Sequence, residues 1–198
     1  PRGGMEWMRW LCGVALAGVA SSALLALAQQ DVKRLVGYMS LAHVSFIVLG
    51  IFSLEHHAVV GAVVHMLSHG LSISALFILI GFLVERRSTR ELAQFGGLAK
   101  PMPICAAFFV VATLAQVGVP GTSGFVGSFL VFLGSFPVGR FTTLVALVGM
   151  VLAACGLMRA VGKMMLGPLE AAENRGMLDS NLGERHVWLL FIVPILWV

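Results

Sequence analysis

The chain has 198 residues, 59% of them apolar and only 11% charged, with a net charge of +4. A soluble domain carries about 25% charged residues, so the composition excludes a water-soluble globular fold and points to an integral membrane protein. The positive charge then reads as membrane topology. No basic run with interleaved aromatics suggests nucleic acid, and no nicotinamide or flavin motif is present.

A helical span needs roughly 20 apolar residues, and the chain divides into about six. The first is expected over Trp10 to Ala28, followed by a polar turn "QQDVKR", Gln29 to Arg34. The second runs from Leu35 to Leu54 and ends at "EHH", Glu55 to His57. The third runs from Ala58 to Val84, before a polar connection from Glu85 to Lys100. The fourth apolar segment extends from Met102 to Phe136, and the fifth from Phe141 to Leu166. A polar stretch, Gly167 to Arg185, precedes "HVWLLFIVPILWV", which begins a sixth. Cys12, Cys105 and Cys155 lie far apart in apolar segments, without metal or redox spacing, and read as small buried residues. Within the mixed-charge stretch, Glu170 to Glu184 is expected to lie along the surface.

Call the side of the N-terminus A and the other B. Ten Lys and Arg fall on side B, among them Lys33, Arg34, Arg86, Arg87, Arg90 and Lys100, against three on side A. Side B is therefore expected to be cytoplasmic. Lys33 and Arg34 read as an anchor at that surface, and Arg159 and Lys163 as snorkelling side chains.

Met102 to Phe136 is too long for one straight span. It would measure about 52 Å against a hydrocarbon core of about 30 Å. Its centre reads "VGVPGTSGFVGS". Pro120 removes a backbone donor, and Gly118, Gly121, Gly124 and Gly127 loosen the chain around it. A break in hydrocarbon is tolerated only where protein or water supplies partners. Val117 to Gly124 is thus expected to face the bundle interior beside a hydrated cavity, with Thr122 and Ser123 pairing the freed backbone groups. Broken helices of this kind recur in transporters; a kink at a close helix crossing is the bland alternative.

The ionisable groups at depth are histidines: His43 in span two, His65 and His69 in span three. Histidine exchanges protons near neutral pH, and polar groups at membrane depth are usually functional. His65 and His69, four apart, share a helix face. Structural hydrogen bonding, a metal, or a haem ligated with His43 are the competing readings. Counted from side B along straight helices, His43 and His69 differ in height by about 9 Å. That estimate implies bridging by waters or by Ser40, Ser68, Ser72 and Ser74, unless span three extends past the bilayer.

The stretches "DVKRLVGYMSLAHVSF", "HMLSHGLSISALFILIGFLVERRSTREL", "GGLAKPMP" and "GVPGTSGFVGSFLVFLGSF" resemble the antiporter-like membrane subunits of respiratory NADH:quinone oxidoreductase, in particular chain M, chain 4 of mitochondria. "RAVGKMMLGPLE" and "LDSNLGERHVWLL" extend the resemblance, which covers nearly all of Leu24 to Val198. It implies an all-α polytopic membrane protein. Residues 1–198 would be the C-terminal part of a single antiporter-like domain, like the family's ninth to fourteenth helices, the last incomplete. It also implies a proton route along a hydrated polar axis, driven by quinone chemistry elsewhere. No cofactor is implied on this chain, with FMN, iron–sulfur clusters and quinone expected in partner subunits. The implied partners are other membrane-arm subunits and the lipid bilayer, and the implied location is a bacterial inner membrane. His43 and His69 match the family's relay histidines; His65 does not and ranks below them. The family's outer glutamate in Gly-Phe-Val-Gly-Glu-Phe is here Ser128, which can pass a proton but holds no charge near neutral pH. A sodium/proton antiporter or membrane-bound hydrogenase subunit shares these motifs, and a non-pumping scaffold remains open because of Ser128.

Overall fold

A computed structural model describes residues 2–169 and 171–197. Among these, every regular element is helical, joined by turns and loops, with one isolated bridge between Asp31 and Glu91. Helix α1 spans Arg2–Ala28, α2 Val32–Phe52 and α3 His56–Arg87. A single 3₁₀ turn, Leu92–Gln94, lies in the following connection. The broken segment forms α4, Pro103–Val117, and α5, Ser123–Ser135. Helix α6, Arg140–Val161, runs on into a π turn at Gly162–Leu166. The short α7, Ala172–Arg175, and α8, Leu182–Trp197, complete the described residues.

Four of the helices among the described residues are long and apolar enough to span a bilayer, and α4 and α5 are shorter apolar helices. The boundaries differ from the sequence reading where capping decides them. "QQDVKR" is not all turn: the Asp31 carboxylate accepts from Lys33 N at 2.8 Å and Arg34 N at 3.0 Å, so α2 begins at Val32. "EHH" likewise contributes only Glu55 to the turn, where its carboxylate caps the Ala58 N–H at 3.1 Å and α3 starts at His56. Helix α3 continues past Val84 to Arg87, where Ser88 takes the left-handed conformation at φ 52° and ends it. At 1.5 Å per residue this helix is about 48 Å long, well beyond the roughly 30 Å core.

The interior is lined by small and branched residues. Ala23, Val36, Met39 and Ala42 of α1 and α2 meet Leu76, Leu79 and Ile80 of α3 and Phe109 and Ala112 of α4. Glycines set the closest approaches, and the contact of α3 with α5 is built on three. A Cβ on Gly127 would lie 2.6 Å from His65 N, and one on Gly61 2.6 Å from Leu130 Cβ. One on Gly134 would collide with Ala58 N and Glu55 Oε2. Real Cβ atoms do not come so near, so only glycine fits.

Only one of the three cysteines is buried as expected. Cys105 is, Cys12 is partly exposed and Cys155 is exposed, because it lies on the outward face of α6. The polar stretch on side B is also not merely superficial. Glu170 falls outside the described residues, but Asn174 is buried and donates to the Gln94 carbonyl at 3.1 Å. Arg87 Nε donates to Asn174 Oδ1 at 2.7 Å, and Arg86 pairs with Glu184 at 2.7 Å. The Asp179 carboxylate accepts from Ile104 N at 3.0 Å and Cys105 N at 3.2 Å, capping α4. Burial raises the Asp179 pKa, but the N–H groups of Ser180, Ile104 and Cys105 outweigh it and hold the carboxyl below its ordinary value.

Candidate functional site

The break in the fourth segment is made by the residues expected to make it. Gly118 ends α4 with φ 77°, and Gly121 follows with φ 95°, both in the region that favours glycine. Gly118 N donates to Ala115 O at 3.2 Å and Val119 N to Leu114 O at 3.1 Å, which closes the last turn of α4 as a Schellman motif. The Thr122 hydroxyl donates to Val119 O at 2.8 Å. Thr122 therefore pairs a freed carbonyl, as expected. Ser123 does not: its buried hydroxyl has no partner among the described residues, because backbone and Thr122 bonds already close the turn. Pro120 and Gly121 at the apex are exposed, while Thr122, Ser123 and Gly124 are buried. The inward face of the break is thus narrower than Val117 to Gly124. A Cβ on Gly124 would collide with Ala115 O, which fixes the first turn of α5 against the last turn of α4.

His43, His65 and His69 converge beside the break, all buried. His43 Nδ1 and His65 Nε2 are hydrogen-bonded at 3.0 Å. The rings of His43 and His69 stack with centroids 5.0 Å apart, and no hydrogen bond joins them among the described residues. The 9 Å height difference is therefore wrong. Helices α2 and α3 are tied together on side A by the tight turn 53–55, so depth must be counted from there. From that end His43 and His65 are each nine residues in and stand level, while His69 is thirteen in, about 6 Å deeper than His43 rather than about 9 Å. At side B no tight turn links the two helices, and α3, about 48 Å long, is longer than a bilayer core is thick. His65, ranked below the other two, bonds neighbours through both ring nitrogens, as His69 does.

Ser128 lies beyond His65. Its hydroxyl donates to Gly124 O at 2.8 Å and lies 3.2 Å from His65 Nδ1. A hydroxyl has one hydrogen, so with that hydrogen on Gly124 it accepts from His65 Nδ1–H. His65 Nε2 then accepts from His43 Nδ1–H. On the other side of the stack, His69 Nε2 lies 3.2 Å from Ser40 Oγ, and His69 Nδ1 lies 2.9 Å from the Gln116 side-chain nitrogen. The Ser72 hydroxyl reaches Gln116 Oε1 at 2.5 Å. Ser68 bonds the Val64 carbonyl of its own helix at 3.0 Å instead. Two hydrogen-bonded groups result, Ser128–His65–His43 and Ser40–His69–Gln116–Ser72, set face to face across one ring stack.

Gln116 was not singled out in the sequence, though an amide two residues before Gly118 in an otherwise apolar segment was a usable signal. Outward from Ser128, the same face of α5 presents Val131, packed on Gly50, and then Ser135. Ser135 accepts from Thr143 Oγ1 at 3.2 Å and lines a crevice of about 480 Å³ on side A, with Arg9, Ser53 and Thr142. One apolar layer therefore separates Ser128 from that crevice. On side A the hydrogen bond from His57 to Glu55, 3.0 Å long, holds the Glu55 carboxyl below its ordinary pKa. The haem and metal readings fit poorly, since both ring nitrogens of His65 and His69 and Nδ1 of His43 are engaged with one another or with Ser40, Gln116 and Ser128. No group of three or more His, Cys, Asp or Glu among the described residues is placed to hold a metal ion.

The comparisons agree with this fold. The family described as "NADH:quinone oxidoreductase/Mrp antiporter, TM" matches residues 3–153. NADH-quinone oxidoreductase subunit M of Rickettsia prowazekii is 37% identical over 196 residues, 99% of this chain and 39% of that protein. NADH-ubiquinone oxidoreductase chain 4 of Marchantia polymorpha is 32% identical over 198 residues, 100% of this chain and 40% of that protein. The chain thus spans about two-fifths of the length of these relatives. A chain of respiratory complex I from Thermus thermophilus superposes with a TM-score of 0.90 at 29% identity, over 96% of this chain and 40% of that one. A chain of the Mrp complex from a Dietzia species shares the fold with a TM-score of 0.79 at 23% identity, over 84% of this chain and 32% of that one. A helix broken at mid-height, histidines gathered beside the break and a family match across most of the length converge on one conclusion: the chain belongs to the transmembrane family of NADH:quinone oxidoreductase and Mrp antiporter subunits.

Proposed function

We propose that the chain is the C-terminal part of the antiporter-like domain of an NADH:quinone oxidoreductase subunit M, and that it conducts protons along a polar axis of histidines and serines. Quinone reduction elsewhere in the complex drives the transfer. FMN, iron–sulfur clusters and quinone belong to partner subunits, and the neighbours are other membrane-arm subunits. The observation that carries this reading is the convergence of His43, His65, His69 and Ser128 from three helices on the inward face of the break. Histidines bonded in series can hand on a proton by exchanging tautomers. The location proposed is a bacterial inner membrane, with the Lys- and Arg-rich connections cytoplasmic.

The test is proton pumping by inside-out vesicles carrying the full complex. His69→Ala is expected to abolish the proton yield while electron transfer continues. Ser128→Glu is expected to raise the yield, because a carboxylate there faces His65 Nδ1 and can hold the charge that serine cannot. If neither change matters while electrons still flow, the chain is a scaffold and the relay reading fails. A sodium/proton antiporter subunit is the second reading, favoured by the family's joint description and the Mrp fold likeness. A proton yield that depends on sodium and not on NADH would select it.

A further inference from the structure

We infer that Gln116 sets the tautomer of His69 and that its amide turns over when His69 takes a second proton. This rests on the relay reading above and adds a positioning residue to it. Gln116 is 2% exposed and sits in the last turn of α4, two residues before the break. It reaches two groups of α3 at once: its side-chain nitrogen lies 2.9 Å from His69 Nδ1, and its oxygen accepts from Ser72 Oγ at 2.5 Å.

An amide nitrogen only donates. In the observed arrangement His69 Nδ1 is therefore the acceptor, and the ring proton sits on Nε2, aimed at Ser40 of α2. The neutral ring is held in one of its two tautomers, with its N–H directed along the relay. When His69 becomes an imidazolium, both nitrogens donate. The amide nitrogen can then no longer face Nδ1, and the oxygen must replace it. The turned amide presents its nitrogen to Ser72 Oγ, which accepts it while donating to Ser68 O at 2.9 Å. Every group stays bonded in both states, so the turnover leaves no buried polar atom unpaired. The charge on His69 is thereby tied to the orientation of a side chain rooted in the broken helix.

The titratable groups facing His69 are His43 of α2 and His65 of α3. Helices α4 and α5 carry no charged residue, and α8 brings Glu184 to Arg86 at the far end of α3.

The test uses the full complex in inside-out vesicles and measures protons moved per NADH oxidised across the pH range. Gln116→Met keeps the length and removes both bonds. Its yield is expected to fall roughly fivefold, the tautomer bias that one hydrogen bond supplies, with uncoupled electron transfer unchanged. Gln116→Glu accepts only and favours the charged ring, so it is expected to retain yield with the pH profile shifted upward by about one unit. A wild-type yield in Gln116→Met, or an unshifted profile in Gln116→Glu, overturns the inference. If Gln116→Met does not assemble, the profile of Gln116→Glu decides alone. His69→Ala, run in parallel, separates the two readings. If it pumps normally, the relay itself is wrong and the inference falls with it; if it is dead while both Gln116 variants behave as wild type, only the inference falls.

Discussion

At the scale of single residues, Gly127 and His65 are one unit. The Gly127 Cα packs on the His65 backbone, where a Cβ would stand 2.6 Å from N. Gly127→Ala is expected to destabilise by about 1–3 kcal/mol through overpacking and to pull His65 away from Ser128. Thermal aggregation of the detergent-solubilised complex should shift down, with proton yield falling further than assembly does. His43, His69 and the glycines around Pro120 were legible because polar or backbone-breaking residues stand out in an apolar segment. Gln116 was overlooked because it lies beside a conspicuous Gly and Pro cluster. The contacts of His65 with both His43 and Ser128 were not legible, because they depend on a helix register that the 53–55 turn fixes.

At the scale of elements, the broken helix is held by its caps. Asp179 closes the N-terminus of α4 from a segment 75 residues further along the chain. Asp179→Ala is expected to cost about 1 kcal/mol. The folded carboxyl sits below its ordinary pKa, so its stabilisation is complete above the free-carboxylate value of about 3.9 and is lost as pH falls through the lower folded value. Melting temperatures of wild type and variant should therefore differ at pH 7 and converge in strong acid. Hydropathy located α2 and α3 to within a few residues, but it missed the first eight residues of α1, which begins at Arg2 rather than Trp10, and it missed the caps. Asp31, Glu55 and Asp179 each sit in a polar run where several side chains could have served, and tertiary position alone selects among them. The clamp of Asn174, Arg87 and Asp179 was invisible for the same reason.

At the scale of the whole molecule, charge asymmetry is the basis of the proposed orientation. Arg86, Arg87, Arg90 and Lys100 stand at one end of it with Lys163 and Arg185. With Cys12, Cys105 and Cys155 replaced by serine, a cysteine placed at Arg90 should react with a membrane-impermeant maleimide in inside-out vesicles and not in right-side-out ones. The reverse pattern would invert the topology. The overall all-helical architecture followed from composition and segment length, because a bilayer leaves a polar backbone few other ways to be satisfied.

The unbonded stack between His43 and His69 bears on the idle membrane. Any path for charge through a bilayer threatens to short-circuit the voltage it is meant to build. In the proposed path one interruption is the stack itself: two rings face each other at 5.0 Å with no hydrogen bond between them among the described residues. The apolar layer at Val131 is a second insulator in series. Were the proposed relay to conduct, a resting chain of this form would keep its membrane charged, and would pass current only when a movement of one ring closed the gap. A change that joined the two halves permanently would leave electron transfer running and drain the gradient, a lesion more costly to a cell than a subunit that conducts nothing.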